Sequence, residues 1–382
     1  MSLGNQRHLF DMPDGVVYMN CAAQGPAPRA AVEAGRRAIN RKARPWEPER
    51  QNLGLEMERA RALFAELIGA DPRCVALTGA TSYGIAIAAQ SLRLESGAGI
   101  LVLESQFPSN YYAWQRVATR DGGRIVVVPR PRDGDWTGAV LDRLTPEIGI
   151  VTLPNVHWVD GGYLNLGSIA DATHAEGAAL VVDATQSIGA VPFDVARLDP
   201  DFVACSAYKW LLSPDQAGYL YVAPRHHEAE PLEHNHATRI GDTPMTFGPG
   251  YGDRFVEGAK RFDQGAADTM IHMPMAVAAM EQIVEWGVEA IGAGIEPIVD
   301  RIAEEAKGRG WHVPPKAHRS PHLIGLLPPH PPRSDLADRL AEDGVYVSLR
   351  DGRIRVSPYL FNDLTDVDRL FVALDRQVDQ AA

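Results

Sequence analysis

Short apolar runs alternate with longer stretches whose apolar positions recur at helical spacing. Residues 16–19, 74–77, 100–103, 124–129, 149–154 and 179–182 read as buried strands. Residues 28–44, 56–68, 85–92, 114–120, 135–144 and 166–176 read as helices between them. In the second of these, Met57, Ala60, Leu63, Phe64 and Leu67 share one face, and Gly69 marks its end. This alternation predicts an α/β fold built on a doubly wound, mostly parallel sheet. Ligands in such sheets sit beyond the carboxyl ends of the strands. Ala80-Thr81, Phe107, His157-Trp158 and Asp183 all fall at that edge.

The texture changes after Tyr221. Residues 224–263 are rich in His, Glu, Gly and Pro and show little periodicity. Helices are predicted at 272–286, 295–307, 335–342 and 365–378, with short strands at 323–327, 345–348 and 354–357, the last two as a pair. The expected division is a large domain over 20–270 and a smaller α+β domain over 271–382, joined by residues 1–19. His226, His227, His234 and His236 lie in the irregular segment without clean metal-ligand spacing, so a solvated loop or subunit contact is the better reading and no metal is expected.

Composition narrows the class. The 382 residues are enough for two lobes with a sizeable core. An apolar content of 45% and a charged content of 23% are those of an ordinary globular protein. The formal net charge of −12 argues against a nucleic-acid partner and against a polybasic membrane surface. An anionic ligand therefore needs a locally built site. Cys21, Cys74 and Cys205 are widely spaced with no C-x-x-C, which suits a reducing cytoplasm. No apolar run is long enough to span a membrane.

Two segments carry candidate chemistry. Thr78-Gly79-Ala80-Thr81-Ser82-Tyr83-Gly84 lies between a strand and a helix, a geometry that aims backbone N–H groups at an anion. No Gly-Lys-Ser/Thr follows, so it is not a nucleoside triphosphate loop. The stretch from Ala179 to Tyr221 opens on a strand that delivers Asp183 and closes on Lys209, set between Tyr208 and Trp210. A desolvated lysine forms an imine with an aldehyde cofactor. A carboxylate can hold a pyridine nitrogen protonated and so make the ring an electron sink. Each residue has an ordinary explanation alone: a packed surface lysine, a turn aspartate, a core phenylalanine. One cofactor, pyridoxal phosphate, explains them together. Lys209 then carries it as a Schiff base and Asp183 faces the ring nitrogen. Gln186 reaches the ring hydroxyl, Thr81 and Ser206 bind the phosphate, and Phe107 stacks on the ring.

These residues also carry a resemblance. Asp183-Ala184-Thr185-Gln186-Ser187-Ile188-Gly189 resembles the D-x-x-Q/H-x-x-G of the class V aminotransferase family, and Ser206-Ala207-Tyr208-Lys209 its S-x-H/Y-K. The 26-residue separation of Asp183 and Lys209 also matches. The resemblance extends over roughly residues 15 to 375. It implies the fold type I of pyridoxal phosphate-dependent transferases and a homodimer with sites at the subunit interface. It places Ala80-Thr81 in the phosphate turn and Tyr208 as a phosphate donor. Arg355 becomes the grip on the substrate's α-carboxylate, with Arg353 and Arg350 as local competitors. Asn110, His157, Trp158 and Gly265 are further candidates around the site. Arg261-Phe262-Asp263-Gln264-Gly265-Ala266 is similar to the family's R-F-E-x-G-T, with Ala266 in place of Thr. Phe107-Pro108-Ser109-Asn110 leans toward kynureninase-like members, whereas Gln186 is desulfurase-like.

No cysteine follows Cys205, which argues against a persulfide-forming desulfurase. The expected activity is aminotransferase-like chemistry on an amino acid. Kynureninase-like cleavage, C–S lysis and epimerisation are alternatives. A cofactor-binding regulator ranks lower, since no basic or helix-turn-helix segment accompanies the domain. A dinucleotide-binding fold ranks lower too, since no G-x-G-x-x-G follows the first strand.

Overall fold

The apolar runs become one seven-stranded sheet. The computed structural model describes residues 3–46, 53–240 and 254–379. In chain order come β1 (Val17–Tyr18), α1 (Arg29–Ala43), α2 (Leu53–Leu67), β2 (Val75–Thr78), α3 (Thr81–Ser91) and β3 (Gly99–Leu103). Next are α4 (Ser109–Asp121), β4 (Arg124–Val128), α5 (Trp136–Leu141), β5 (Ile148–Pro154), α6 (Leu166–Ala175) and β6 (Ala179–Asp183). Then α7 (Val195–Leu198), β7 (Phe202–Ser206) and β8 (Gly218–Val222) complete the sheet. Its order is β2-β8-β7-β6-β5-β3-β4, all parallel except β8, which runs antiparallel to both neighbours. Leu101, Val102, Leu180, Val181, Val203 and Leu220 are inaccessible, so both faces of the central strands are covered. That double burial is why these strands read as continuous apolar runs rather than as alternation.

The chain then forms α8 (His272–Trp286), α9 (Val288–Gly308), β9 (Ile324–Leu326), α10 (Leu336–Glu342), β10 (Val345–Tyr346), β11 (Ser348–Arg350), β12 (Arg353–Val356) and α11 (Leu364–Asp379). A second, antiparallel sheet has the order β11-β12-β9, and β1 returns from the N-terminal segment to pair in parallel with β10. Part of the irregular segment, residues 241–253, lies outside the described residues.

Several elements differ from the sequence expectation, and α4 begins at Ser109 rather than 114. α3 begins at Thr81, not 85. Gly84, which reads as a turn residue, instead lets the helix sit on the sheet: a Cβ there would lie 3.0 Å from the Ala204 Cβ. α9 begins seven residues before 295 and contains Gly292 and Pro297. Its buried stripe of Ile291, Ile295, Ile298, Val299 and Ile302 outweighs the helix-breaking residues. The strand expected at 345–348 divides, its first part pairing with β1 and its second with β12.

Two glycines fix the backbone that carries Lys209. A Cβ at Gly25 would lie 1.9 Å from the Lys209 carbonyl oxygen, and its N–H donates to the Tyr208 carbonyl at 2.8 Å. Gly189, at φ +98°, also leaves no room for a Cβ, which would clash with the Trp210 carbonyl oxygen. Only glycine permits both approaches. The segment around Gly25 is therefore one half of a clamp on the 208–210 backbone.

β2 is an edge strand, and the segment around Asp263 covers it. Leu77 N–H donates to Asp263 Oδ1 at 2.8 Å, and Gln264 N–H donates to the Leu77 carbonyl at 2.9 Å. Arg61 on α2, 1% exposed, donates to both oxygens of Asp263 at 3.1 and 2.7 Å and also to the Val75 carbonyl. Asp263→Ala would leave the buried Arg61 with only the half-exposed Glu58, at 3.5 Å, as a counter-charge. Stability should fall by about 3–5 kcal/mol, read as a lowered urea midpoint; a midpoint close to wild type would contradict this account.

Candidate active site at the carboxyl edge of the sheet

Strand ends assemble one pocket. β5 ends at Pro154 beside Asp183, the last residue of β6, and Asp183 pairs in register with Ala204 of β7. β7 ends at Ser206 and α3 opens at Thr81. Ala80, Thr81, Phe107, Asn110, Trp158, Asp183, Gln186, Ser206, Tyr208 and Lys209 all line this pocket. Those residues come from five separate parts of the sequence.

Lys209 is 7% exposed and forms no ion pair among the described residues. Its ammonium lies 5.6 Å from the Phe107 ring centre and 5.4 Å from that of Tyr208. Burial lowers its pKa to about 8; the charge of Asp183 opposes that shift and the charge of Arg355 reinforces it. Burial raises the pKa of Asp183, while hydrogen bonds from Thr185 and the charge of Lys209 pull it down. Asp183 Oδ1 accepts the Thr185 N–H at 3.1 Å.

Hydroxyls gather at the start of α3. Thr81 Oγ1 lies 2.5 Å from Thr185 Oγ1 and 2.8 Å from Ser206 Oγ, and Ser206 Oγ accepts the Thr81 N–H at 2.8 Å. Three hydroxyls beside the first turn of a helix form an anion cradle. Thr185 is the member the sequence reading passed over. Its position within the Asp183–Gly189 motif is the signal that could have identified it.

Asn110 is fully buried on the pocket wall. Its Oδ1 accepts from Trp114 Nε1 at 2.9 Å and from Thr152 Oγ1 at 2.8 Å, while its Nδ2 has no partner. The amide is thus oriented by the protein, with a donor left for a pocket occupant. Gln186 is more committed than expected: its Nε2 donates to the Ala22 carbonyl and its Oε1 accepts from Trp210 Nε1. At most one N–H of Gln186 remains for a ring hydroxyl.

Two candidates fall elsewhere. His157 does not line the pocket. It is inaccessible, stacks on Trp136 at 4.9 Å, and meets the Glu104 carbonyl and Asp160, with burial lowering its pKa to about 3. Gly265 lines a neighbouring groove with Gly79, Ala80, Ser82 and Ala266. Trp158 stays in the pocket, with its ring edge on Phe107 and its N–H on the Ser105 carbonyl. Of the clustered histidines, His226 pairs with Asp201, His234 with Glu230, and His227 meets the Val222 carbonyl, so they do not converge.

Arg355 approaches from the second sheet. It is 2% exposed, donates Nε to Ser348 Oγ at 3.1 Å and Nη1 to the Trp158 carbonyl at 2.9 Å, and makes no ion pair among the described residues. Burial, and then the charge of Arg350, lower its pKa to about 9.

A family model described as aminotransferase class V matches residues 17–370. The chain belongs to that family. Among class V relatives, isopenicillin N epimerase of Streptomyces clavuligerus is 27% identical over 378 residues, covering 94% of each chain. A probable cysteine desulfurase of Vibrio cholerae is 26% identical, over 85% of this chain and 83% of its own. The fold matches that of the cystine C–S lyase C-DES, solved in complex with its reaction product cysteine persulfide, at a TM-score of 0.85, 21% identity, and coverage of 96% and 98%. The class V family is one of pyridoxal phosphate-dependent enzymes with this fold, and the pocket's donors fit that cofactor. The cradle at Thr81, Thr185 and Ser206 suits a phosphate. Asp183, the free donor of Asn110 and the desolvated Lys209 suit a pyridine aldehyde.

Only the neutral amine of Lys209 attacks an aldehyde. Uptake of pyridoxal phosphate by apoprotein should therefore accelerate about ten-fold per pH unit below pH 8 and level off above it. Arg355→Leu should move that midpoint upward, because a cation that disfavours the charged amine is gone. Stopped-flow absorbance against pH checks both, and a flat profile across the neutral range would contradict them.

Proposed function

We propose that this chain is a pyridoxal phosphate-dependent enzyme acting on an α-amino acid, with aminotransfer as its reaction. The observation that carries this reading is Lys209, desolvated, without an ion pair among the described residues, and lining the same pocket as Asp183. When bound, the cofactor supplies an electron sink for the bond broken at Cα. The residues do the rest. Thr81, Thr185, Ser206 and the first-turn N–H groups of α3 hold the phosphate, and Tyr208 borders it. Asp183 keeps the ring nitrogen protonated, Asn110 donates to the ring's surroundings, and Phe107 covers its face. Lys209 would hold the cofactor through its amine and, as the neutral base, would carry the proton at Cα. Arg355 grips the α-carboxylate through a fork already held by Ser348 and the Trp158 carbonyl.

Sulfur transfer to a cysteine of the chain is disfavoured in this reading. Cys21, Cys74 and Cys205 are buried and none lines the pocket. Epimerisation is the second reading, favoured by the likeness to isopenicillin N epimerase across 94% of both chains.

An amino-acid panel in D₂O separates these. Aminotransfer converts the absorption of the holoenzyme to that of the pyridoxamine form and releases a keto acid. Epimerisation instead returns the amino acid racemised and deuterated at Cα. Release of pyruvate with ammonia, or of alanine, would replace both by a lyase. Lys209→Ala should abolish turnover and the visible absorption of the lysine-bound cofactor; retention of either overturns the assignment.

A homodimer with sites at the interface belongs to the same reading. Light scattering should give twice the 41.6 kDa chain mass, and a monomer would remove that part of it.

A further inference from the structure

β11 and β12 present two unlike faces. Leu349, Ile354 and Val356 pack on the hydrophobic core. Ser348, Arg350, Arg353 and Arg355 share the other face, in the register Ser348↔Arg355 and Arg350↔Arg353. Acids compensate only part of this basic face. Arg353 reaches Asp351 at 3.5 Å, and Asp351 also meets Arg130, itself paired with Asp160. Arg355 and Arg350 make no ion pair among the described residues. Arg350, half-buried, donates Nη1 only to the Leu349 carbonyl at 2.7 Å. Arg350 lies diagonally across the strand pair from Arg355 on this face, and its charge, after burial, lowers the pKa of Arg355 and also reaches Lys209. Two adjacent cations, one of them 2% exposed, disfavour each other until an anion arrives. A single α-carboxylate balances one of them.

We propose that Arg350 is a second anion subsite beside this pocket, next to Arg355, which joins the pocket wall at the Trp158 carbonyl, so that the substrate is an α-amino acid with an acidic side chain, its α-carboxylate on Arg355 and its distal carboxylate on Arg350. The inference rests on the reading above that Arg355 faces an amino-acid substrate. Arginine suits the task because its planar fork matches a carboxylate in two parallel hydrogen bonds. Ser348 keeps the two forks distinct, because it engages Nε of Arg355 and not Arg350.

The test uses holoenzyme and the change in cofactor absorption on titration with matched pairs: aspartate and asparagine, glutamate and glutamine, 2-aminoadipate and norleucine. At least one acid should bind about ten-fold or more tightly than its neutral partner. Arg350→Gln should bring that ratio close to one, and Arg350→Lys should restore part of it. Arg355→Gln should weaken acid and neutral member alike. Equal binding of all pairs by the wild type overturns the second subsite. So does an Arg350→Gln variant that weakens both members by the same factor, since both arginines would then hold one carboxylate. A holoenzyme whose absorption responds to alanine but shows no acid preference sinks this inference alone. A holoenzyme that no amino acid perturbs sinks the amino-acid reading with it.

Discussion

The site depends on keeping a lysine amine out of water without giving it a counter-ion. A buried ammonium paired with a carboxylate would stay protonated and inert toward an aldehyde. Lys209 is buried yet unpaired among the described residues, and Asp183 acts on it as a neighbouring charge. Holding a cation so is costly, and the surrounding chain is built to impose it. Gly25 and Gly189 press on the carbonyls of Lys209 and Trp210 from two sides. Trp210 is inaccessible, tied by its indole N–H to Gln186 and edge-on to His322 at 4.2 Å. The lysine stem leaves a backbone that cannot shift toward solvent without losing these contacts.

The loop after β5 joins the second sheet to this pocket. Trp158 gives its carbonyl to Arg355 while its ring borders Phe107 in the pocket. Asp160 accepts the Gly325 N–H of β9 through its carbonyl, and its carboxylate pairs with Arg130. His157, stacked on Trp136, anchors the start of the same loop. These residues tie the strands that carry Arg355 and Gly325 to the segment that follows β5. That explains why His157 sits beside the candidate site in sequence but takes no part in lining it: its ring braces the joint between the sheets.

The order of elements, the strand ends at the ligand edge and the pairing of Asp183 with Lys209 were legible from the chain. Doubly buried strands leave continuous apolar runs, and a residue after such a run must emerge at the carboxyl edge. The motif at Asp183–Gly189 and the lysine 26 residues beyond Asp183 are local patterns, fixed by two adjacent strands of one sheet. Helix limits were less legible where packing overrode propensity. Gly84 reads as a turn residue because its packing partner Ala204 lies far away in sequence, and the first turns of α9 were missed because they are held by the buried stripe of Ile291 and Ile295.

By itself the sequence determined the sheet, the lysine, the aspartate and the anion turn, because each is encoded within one strand and the turn that follows it. Tertiary structure decided which of their neighbours face inward. It commits Gln186 to Trp210 and Ala22, leaves Asn110 with an unpartnered donor, brings Thr185 to the cradle, and sets Arg350 and Arg355 together without an acid. Those outcomes depend on contacts across hundreds of residues, such as Arg355 with Trp158. Side-chain orientation and charge compensation are properties of the packed chain, and no local pattern specifies them.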